Sequence, residues 1–265
     1  MIIFLIFTAL AVIWFIAENK FILNFRRKDF GGNIRIMHIS DIHHSRKGKD
    51  NCRISAAAEK EKPDLIFITG DFVSRNETDL NSAEILLNRL CNISQVYMVS
   101  GNHEQSLPEE IRSKFTEMAE KAGALILDNT GKCVTIKGRQ LYICGTVQKY
   151  TTYCKNGGYN NLDRFTLNDM KKTSGKAPDS EILLLAHNPL WAETYAEWGA
   201  DYTFSGHIHG GAVRLFGIGI LSPERKFFPE YSKGVYNIGG MKLCVSAGIG
   251  KIRLFNPPEI IIYAI

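Results

Sequence analysis

The chain has 265 residues, 45% of them hydrophobic and 22% charged, with a net charge of +5. Those values belong to an ordinary globular protein large enough to bury a sizeable core without disulfide staples. The positive excess is mild and gathers near the N-terminus and between His44 and Arg53, so no nucleic-acid partner is expected. The six cysteines (Cys52, Cys91, Cys133, Cys144, Cys154 and Cys244) include no C-x-x-C pair and no zinc-ribbon spacing. That argues against a thiolate metal site and for reduced thiols in a cytosolic setting.

Met1–Ala17 is almost unbroken apolar sequence, with Thr8 the only polar side chain. As a helix it would measure about 25 Å, just short of the roughly 30 Å hydrocarbon core. Trp14 and Phe15 suit an interfacial belt, and no basic stretch precedes the run as a cleaved signal would require. The expectation is an N-terminal transmembrane anchor over residues 1–17. Lys20, Arg26, Arg27 and Lys28 follow it, which places the remainder in the cytoplasm as a single-pass protein of the cell membrane. Residues 18–33 then read as a basic juxtamembrane linker able to meet anionic headgroups.

From Ile34 onward β-like runs alternate with helical ones. Ile34–Ser40, Asp64–Thr69 and Gln95–Ser100 read as strands, with helices over Asp50–Lys60, Asp79–Leu90 and from Pro108 to about Lys121, stopped by Gly123. That succession implies crossover units and a largely parallel sheet. Ala124–Leu127, Cys133–Ile136 and Leu141–Gly145 are short strands that suggest a second sheet. Thr151–Asn161 reads as a loop, Glu181–Ala186 as a strand, and Pro189 to Trp198 as a helix. Asp201–Ser205 is another strand, Gly217–Tyr236 a long loop, and Lys242–Ser246 and Glu259–Tyr263 closing strands. The fold class is α/β, in one domain over residues 34–265.

Chemistry-bearing residues stand just after five of these strands: Asp41-x-His43, Gly70-Asp71, Gly101-Asn102-His103, His187 and Gly206-His207-x-His209. In α/β sheets such loops converge outside the carboxyl ends of the strands. The glycines allow sharp turns, and alternation along an extended backbone would bring Asp41 with His43, and His207 with His209, to one place. Carboxylates, imidazoles and an amide without thiolate suit two divalent ions such as Mn, Fe, Zn or Ni. Two such ions leave net positive charge for a phosphate and acidify a bridging water. His38 stands apart and is expected to pack inside the first strand.

The ordered set, with Glu104 after His103, resembles the calcineurin-like metallophosphoesterase superfamily over essentially all of residues 34–265. Ala186-His187-Asn188-Pro189, the double glycine of Gly206-His207-Ile208-His209-Gly210-Gly211, and Ala247-Gly248-Ile249-Gly250 through Arg253 to Pro258-Glu259 are similar to its membrane-anchored YkuE/YaeI-type branch. The resemblance implies a four-layer α/β/β/α sandwich with two mixed sheets. It implies Asp41, His43 and His209 on one metal, Asn102, His187 and His207 on the other, and Asp71 bridging. His103 would be the catalytic residue, facing the substrate phosphate together with Asn102 and either stabilising the transition state or protonating the leaving oxygen. The implied activity is in-line hydrolysis of a phosphomonoester, phosphodiester or pyrophosphate by a metal-bridging hydroxide, on a membrane-associated, lipid-linked or nucleotide-linked substrate.

The chain departs from that pattern at Glu104, where relatives often carry Asp, and at Ala212, where many carry Gln. His44 is expected to point away from the site. Arg46, Lys47, Lys49 and Arg53 read as a solvated basic loop, or alternatively as a rim for headgroups. A non-catalytic binding scaffold and a secreted cell-surface phosphatase stay open as alternatives, and the sequence leaves the oligomeric state undetermined.

Overall fold

The computed structural model describes every residue except 44–46, 223–224 and 251–252, and all side chains outside those segments except residues 2–4 and 7. The first half contains α1 (Ile2–Lys20), β1 (Asn24–Asp29), β2 (Arg35–Ile39), α2 (Cys52–Glu61), β3 (Leu65–Thr69), α3 (Asn81–Cys91), β4 (Gln95–Val99), α4 (Asn102–Gln105), α5 (Glu109–Ala122) and β5 (Leu125–Ile126). After it come β6 (Gly131–Ile136), β7 (Arg139–Thr146), α6 (Leu167–Ser174), β8 (Glu181–Ala186), α7 (Ala192–Trp198) and β9 (Tyr202–Ser205). A hairpin of β10 (Val213–Leu215) and β11 (Ile218–Leu221) precedes β12 (Gly234–Ile238), β13 (Met241–Val245) and β14 (Glu259–Ala264).

Two six-stranded mixed sheets result, in the orders β1-β14-β2-β3-β4-β5 and β12-β13-β9-β8-β7-β6. Period-two burial explains why they stack. On the first sheet Met37, Ile39, Ile66 and Ile68 face α2, α3 and α5, whereas Ile36, Leu65 and Phe67 face the second sheet. On the second, Leu183, Leu185 and Phe204 face inward, while Ile182 and Leu184 meet Met170 of α6 and Tyr195 and Trp198 of α7. Three apolar layers therefore separate four layers of structure, as expected for this α/β sandwich. His38 lies fully buried within β2, and all six cysteines are unpaired.

Several expectations need correction. Among the described residues no helix is long and apolar enough to cross a membrane. The last turn of α1 instead docks on the domain: Glu18 is fully buried, and its Oε2 accepts from the Phe255 N–H at 2.8 Å. Asn19 exchanges two hydrogen bonds with the Arg253 backbone, at 2.8 and 3.0 Å. The expected linker at residues 18–33 holds this docked turn and β1, an edge strand paired in parallel with β14. The expected solvated loop is only partly one. Lys47 is fully buried with Nζ donating to Asn19 O at 2.8 Å, and Arg53 donates to Phe21 O at 2.5 Å. His44 and Arg46 lie outside the described residues. Leu125–Ile126 joins the first sheet through β4 rather than the second. The expected long loop after Gly217 contains β11 and β12.

Candidate metal centre

The carboxyl ends of β2, β3 and β4 in one sheet and of β8 and β9 in the other meet at one place, and their loops bring together all eight candidate site residues. The backbone there is not extended, contrary to the alternation argument. Asp41, His43, Asp71, His207 and His209 all have positive φ, between 51° and 67°. Non-glycine residues seldom adopt that conformation, and it stores strain at functional sites. Tight reversals, rather than strand alternation, aim these side chains inward. Gly70 (φ 84°) serves the same packing: a Cβ would lie 2.6 Å from His187 Nδ1 and 2.7 Å from the Gly101 N. At Gly206 a Cβ would overlap Ser40 Oγ and Asp41 Oδ2.

Asp41, His43, Asp71 and His209 each offer one ligand atom within 4.8 Å of the others. His209 Nε2 lies 3.2 Å from Asp41 Oδ1 and 3.3 Å from His43 Nε2, which is 3.7 Å from Asp71 Oδ2. Burial pushes His43 down to about 3, so its ring is neutral, and its Nδ1 is buried without a partner among the described residues. Burial would raise the Asp41 carboxyl, but the neighbouring His209 holds it below the usual range.

Asp71 Oδ2 also lies 3.3 Å from His187 Nε2, which is 3.2 Å from Asn102 Oδ1. His187 Nδ1 donates to Thr69 O at 2.7 Å, so in the neutral ring the Nε2 lone pair faces Asp71 and Asn102. Burial opposes protonating His187, yet Asp71 raises it to about 10, and His187 in turn holds Asp71 well below its ordinary value. A divalent cation bound there would take the place of that proton, since ligating imidazoles must be neutral. The His207 ring stands edge-on to His187, with centroids 5.0 Å apart, and its backbone N–H donates to both Asp41 oxygens at 3.1 Å. Buried carboxylates beside neutral imidazoles and an amide fit hard-to-borderline divalent ions.

Three side chains support the centre. Glu104, a departure noted in the sequence, accepts from the N–H groups of Asp71 (2.9 Å), Gly101 (2.8 Å) and Val73 (3.1 Å). Burial and then the Asp71 charge push its carboxyl up to about 7. Arg253 is fully buried, and its guanidinium donates to the carbonyls of Gly250, Ala247 and, at 3.1 Å, His209. The third is Arg75, which sequence reasoning missed. Its N–H donates to His103 Nδ1 at 3.1 Å, which leaves the proton of the neutral ring on Nε2. Its Nη2 lies 2.9 Å from that Nε2. Two donors facing each other call for an acceptor, and an anionic oxygen supplies one. Burial pushes His103 down to about 4, so it serves as a neutral donor rather than as imidazolium. Its place four residues beyond Asp71 was the only sequence signal for Arg75.

The family model for calcineurin-like phosphoesterase matches residues 34–211. The chain is 26% identical to the phosphodiesterase YaeI of Escherichia coli K12, over 88% of this chain and 82% of that protein. It is 24% identical to the UDP-2,3-diacylglucosamine pyrophosphatase LpxG of Chlamydia muridarum, over 86% of this chain and 82% of that protein. Among solved structures, the phosphopantetheinyl hydrolase PptH of Mycobacterium tuberculosis shares the fold with a TM-score of 0.51 at 14% identity, covering 80% of this chain and 88% of that one. The family match spans most of the chain and includes all eight converging residues: this chain belongs to the calcineurin-like phosphoesterase family and is a metallophosphoesterase.

Proposed function

We propose that this metallophosphoesterase uses two divalent ions to hydrolyse a phosphodiester or pyrophosphate on a membrane-associated substrate. Asp41, His43 and His209 would hold one ion, Asn102, His187 and His207 would hold the other, and Asp71 would serve both. The observation that carries this reading is the position of Asp71 Oδ2, 3.3 Å from His187 Nε2 on one side and 3.7 Å from His43 Nε2 on the other. When bound, the ions supply positive charge to the phosphate oxygens and acidify water enough to give a nucleophile near neutral pH. The chain's own side chains do the rest. Arg75 and the His103 Nε2–H grip the phosphate oxygens where charge grows. Glu104 keeps the Asp71 and Asn102 turns in register.

The metallated protein should contain two ions per chain and hydrolyse bis-para-nitrophenyl phosphate or para-nitrophenyl phosphate, with activity abolished in Asp71→Asn. A loaded wild type inactive on both esters would sink the hydrolase reading. Failure to bind any ion after reconstitution would leave a binding scaffold in its place.

For location, we place the protein at the cytoplasmic face of the cell membrane, with α1 inserted into the near leaflet rather than crossing both. Leu10, Val12, Ile13, Trp14, Phe15 and Ile16 are all exposed, and the cations Arg26, Arg27 and Lys28 follow close behind. The diacylated nucleotide sugar in the name of the Chlamydia relative points to the same substrate class. Protease digestion of intact cells should spare the domain and digestion of inverted vesicles should cleave it. The reverse pattern would support a secreted or surface enzyme.

A further inference from the structure

At the open edge of the sandwich, where β1 of one sheet nears β12 of the other, lies a cleft of about 560 Å3. Arg26, Lys28, Arg214 and Lys233 line it, and no carboxylate does among the described residues. Arg26 and Lys28 reach it together because they stand two apart on β1 and so share a face. Glu259 behind the cleft lies 2.9 Å from Arg26 Nε and 2.9 Å from Lys233 Nζ, so among the described residues one carboxylate answers four cations. Burial lowers both Arg214 and Lys233 from their ordinary values, as expected for cations drawn out of water.

The rim is apolar. Phe216 is fully exposed, and Leu215, Ile218 and Phe255 are also exposed. Phe216 and Gly217 turn the β10–β11 hairpin with φ of 51° and 83°. Both central residues of such a turn need positive φ, which favours Asn, Asp or Gly at the first position. Phenylalanine there spends backbone strain on placing a ring in solvent. Phe255 on the other wall stacks on Trp14 of α1, with ring centroids 6.5 Å apart, so the foot of the apolar helix borders the cleft.

We infer that this cleft binds the phosphate headgroup of an anionic lipid, while α1 and the Phe216 tip enter the acyl boundary on either side. A membrane suits this surface better than a protein partner. Val12 to Ile16 are consecutive and all exposed, and at 3.6 residues per turn they cover every side of the helix. A docking protein would need one apolar stripe, whereas hydrocarbon meets all sides. The site also has the right relation to the metal centre. Arg214 donates to Gly210 O at 2.7 Å, and Asn256 donates to the carbonyls of His209 and Gly211. The cleft therefore backs onto the loop that carries His207 and His209. This inference rests on the membrane location proposed above and not on the hydrolase reading.

The test is flotation of the full chain with vesicles of phosphatidylcholine alone, and with vesicles half phosphatidylglycerol. Anionic vesicles should bind at least tenfold tighter, and high salt should remove the gain. Each cation near the surface contributes about 1 kcal/mol, so the Arg26→Gln/Lys28→Gln double variant should lose roughly thirtyfold on anionic vesicles only. Lys171→Gln/Lys176→Gln removes equal charge from an exposed surface outside the cleft and should change nothing. Phe216→Ser should weaken binding to both vesicle types. All three variants should still hydrolyse bis-para-nitrophenyl phosphate, which keeps failure of the lipid site separate from failure of the enzyme. Equal binding to both vesicle types, or equal loss in both double variants, would overturn the inference. So would tight binding of glycerol 3-phosphate without binding to vesicles, which would mark a site for free phosphate.

Discussion

The Glu104 carboxylate accepts the Asp71 backbone N–H at 2.9 Å and, through the same oxygen, the Gly101 N–H at 2.8 Å. One side chain thus sets the spacing between the β3 turn, which presents Asp71, and the β4 turn, which presents Asn102 and His103. In Glu104→Gln an NH2 group must face backbone donors. Loss of one such buried arrangement costs about 1–3 kcal/mol, and orienting partners of ligands typically change metal affinity about 10–100-fold. Metal titration of Glu104→Gln should show that loss. Unchanged affinity would mean that the two turns are held independently.

Arg75 should matter to substrate and not to metal. Arg75→Ala removes one donor to the phosphate, for which a loss of about 100–1000-fold in kcat is expected. Metal content should stay at the wild-type value, and inorganic phosphate should inhibit the variant less. An Arg75→Ala enzyme with full activity would show that the guanidinium points elsewhere in the working protein.

His38 makes stability depend on pH. Burial pushes it down to about 3 in the folded protein, where its Nε2 meets Thr69 Oγ1 at 2.8 Å. The unfolded chain takes up this proton below about pH 6.5, so folding stability falls as pH drops from about 6.5 towards 3. The slope is about 1.4 kcal/mol per pH unit, or about 2 kcal/mol between pH 6.5 and 5. Urea unfolding of metal-free wild type and His38→Gln at pH 7 and 5 measures it. The variant should lose about 2 kcal/mol less across that interval, and parallel losses would remove His38 from the account.

Asn19→Ala breaks both hydrogen bonds between α1 and the Arg253 backbone. Each is worth about 0.5–1.5 kcal/mol. Because Arg253 also holds His209 O, the variant should be less stable by about 2 kcal/mol and should release one ion more readily than the other. Chelator-release kinetics would resolve two phases in the variant. A single unchanged phase would show that the helix foot has no hold on the site.

The site was legible in the sequence because its residues sit where rigid strands end, and strands such as Leu65–Thr69 and Glu181–Ala186 are uninterrupted apolar runs. What sequence reading missed had physical causes. β1 reads Asn-Phe-Arg-Arg-Lys-Asp, a charged edge strand whose side chains face solvent, so neither period nor hydrophobicity announced it. The β10–β11 hairpin turns at Phe216-Gly217, a pair outside the usual turn chemistry. The helix at Leu167–Ser174 was overlooked although Thr166 and Asp169 form a capping box. Leu125–Ile126 looked like the start of a second sheet, because only the tertiary fold reveals that it returns to β4. The end of α1 held Glu18, a polar residue that reads as the boundary of a span and is in fact a buried contact.

The first sheet supplies Asp41, His43, Asp71, Asn102 and His103, and the second supplies His187, His207 and His209. Neither group would close a coordination sphere alone, so two bound ions would rivet the two sheets together. A ribosome must have released the chain past His209 before either ion can meet its full complement. Metal uptake would then report that the two sheets have formed and met, and a chain cut before His207 should stay both unmetallated and inert.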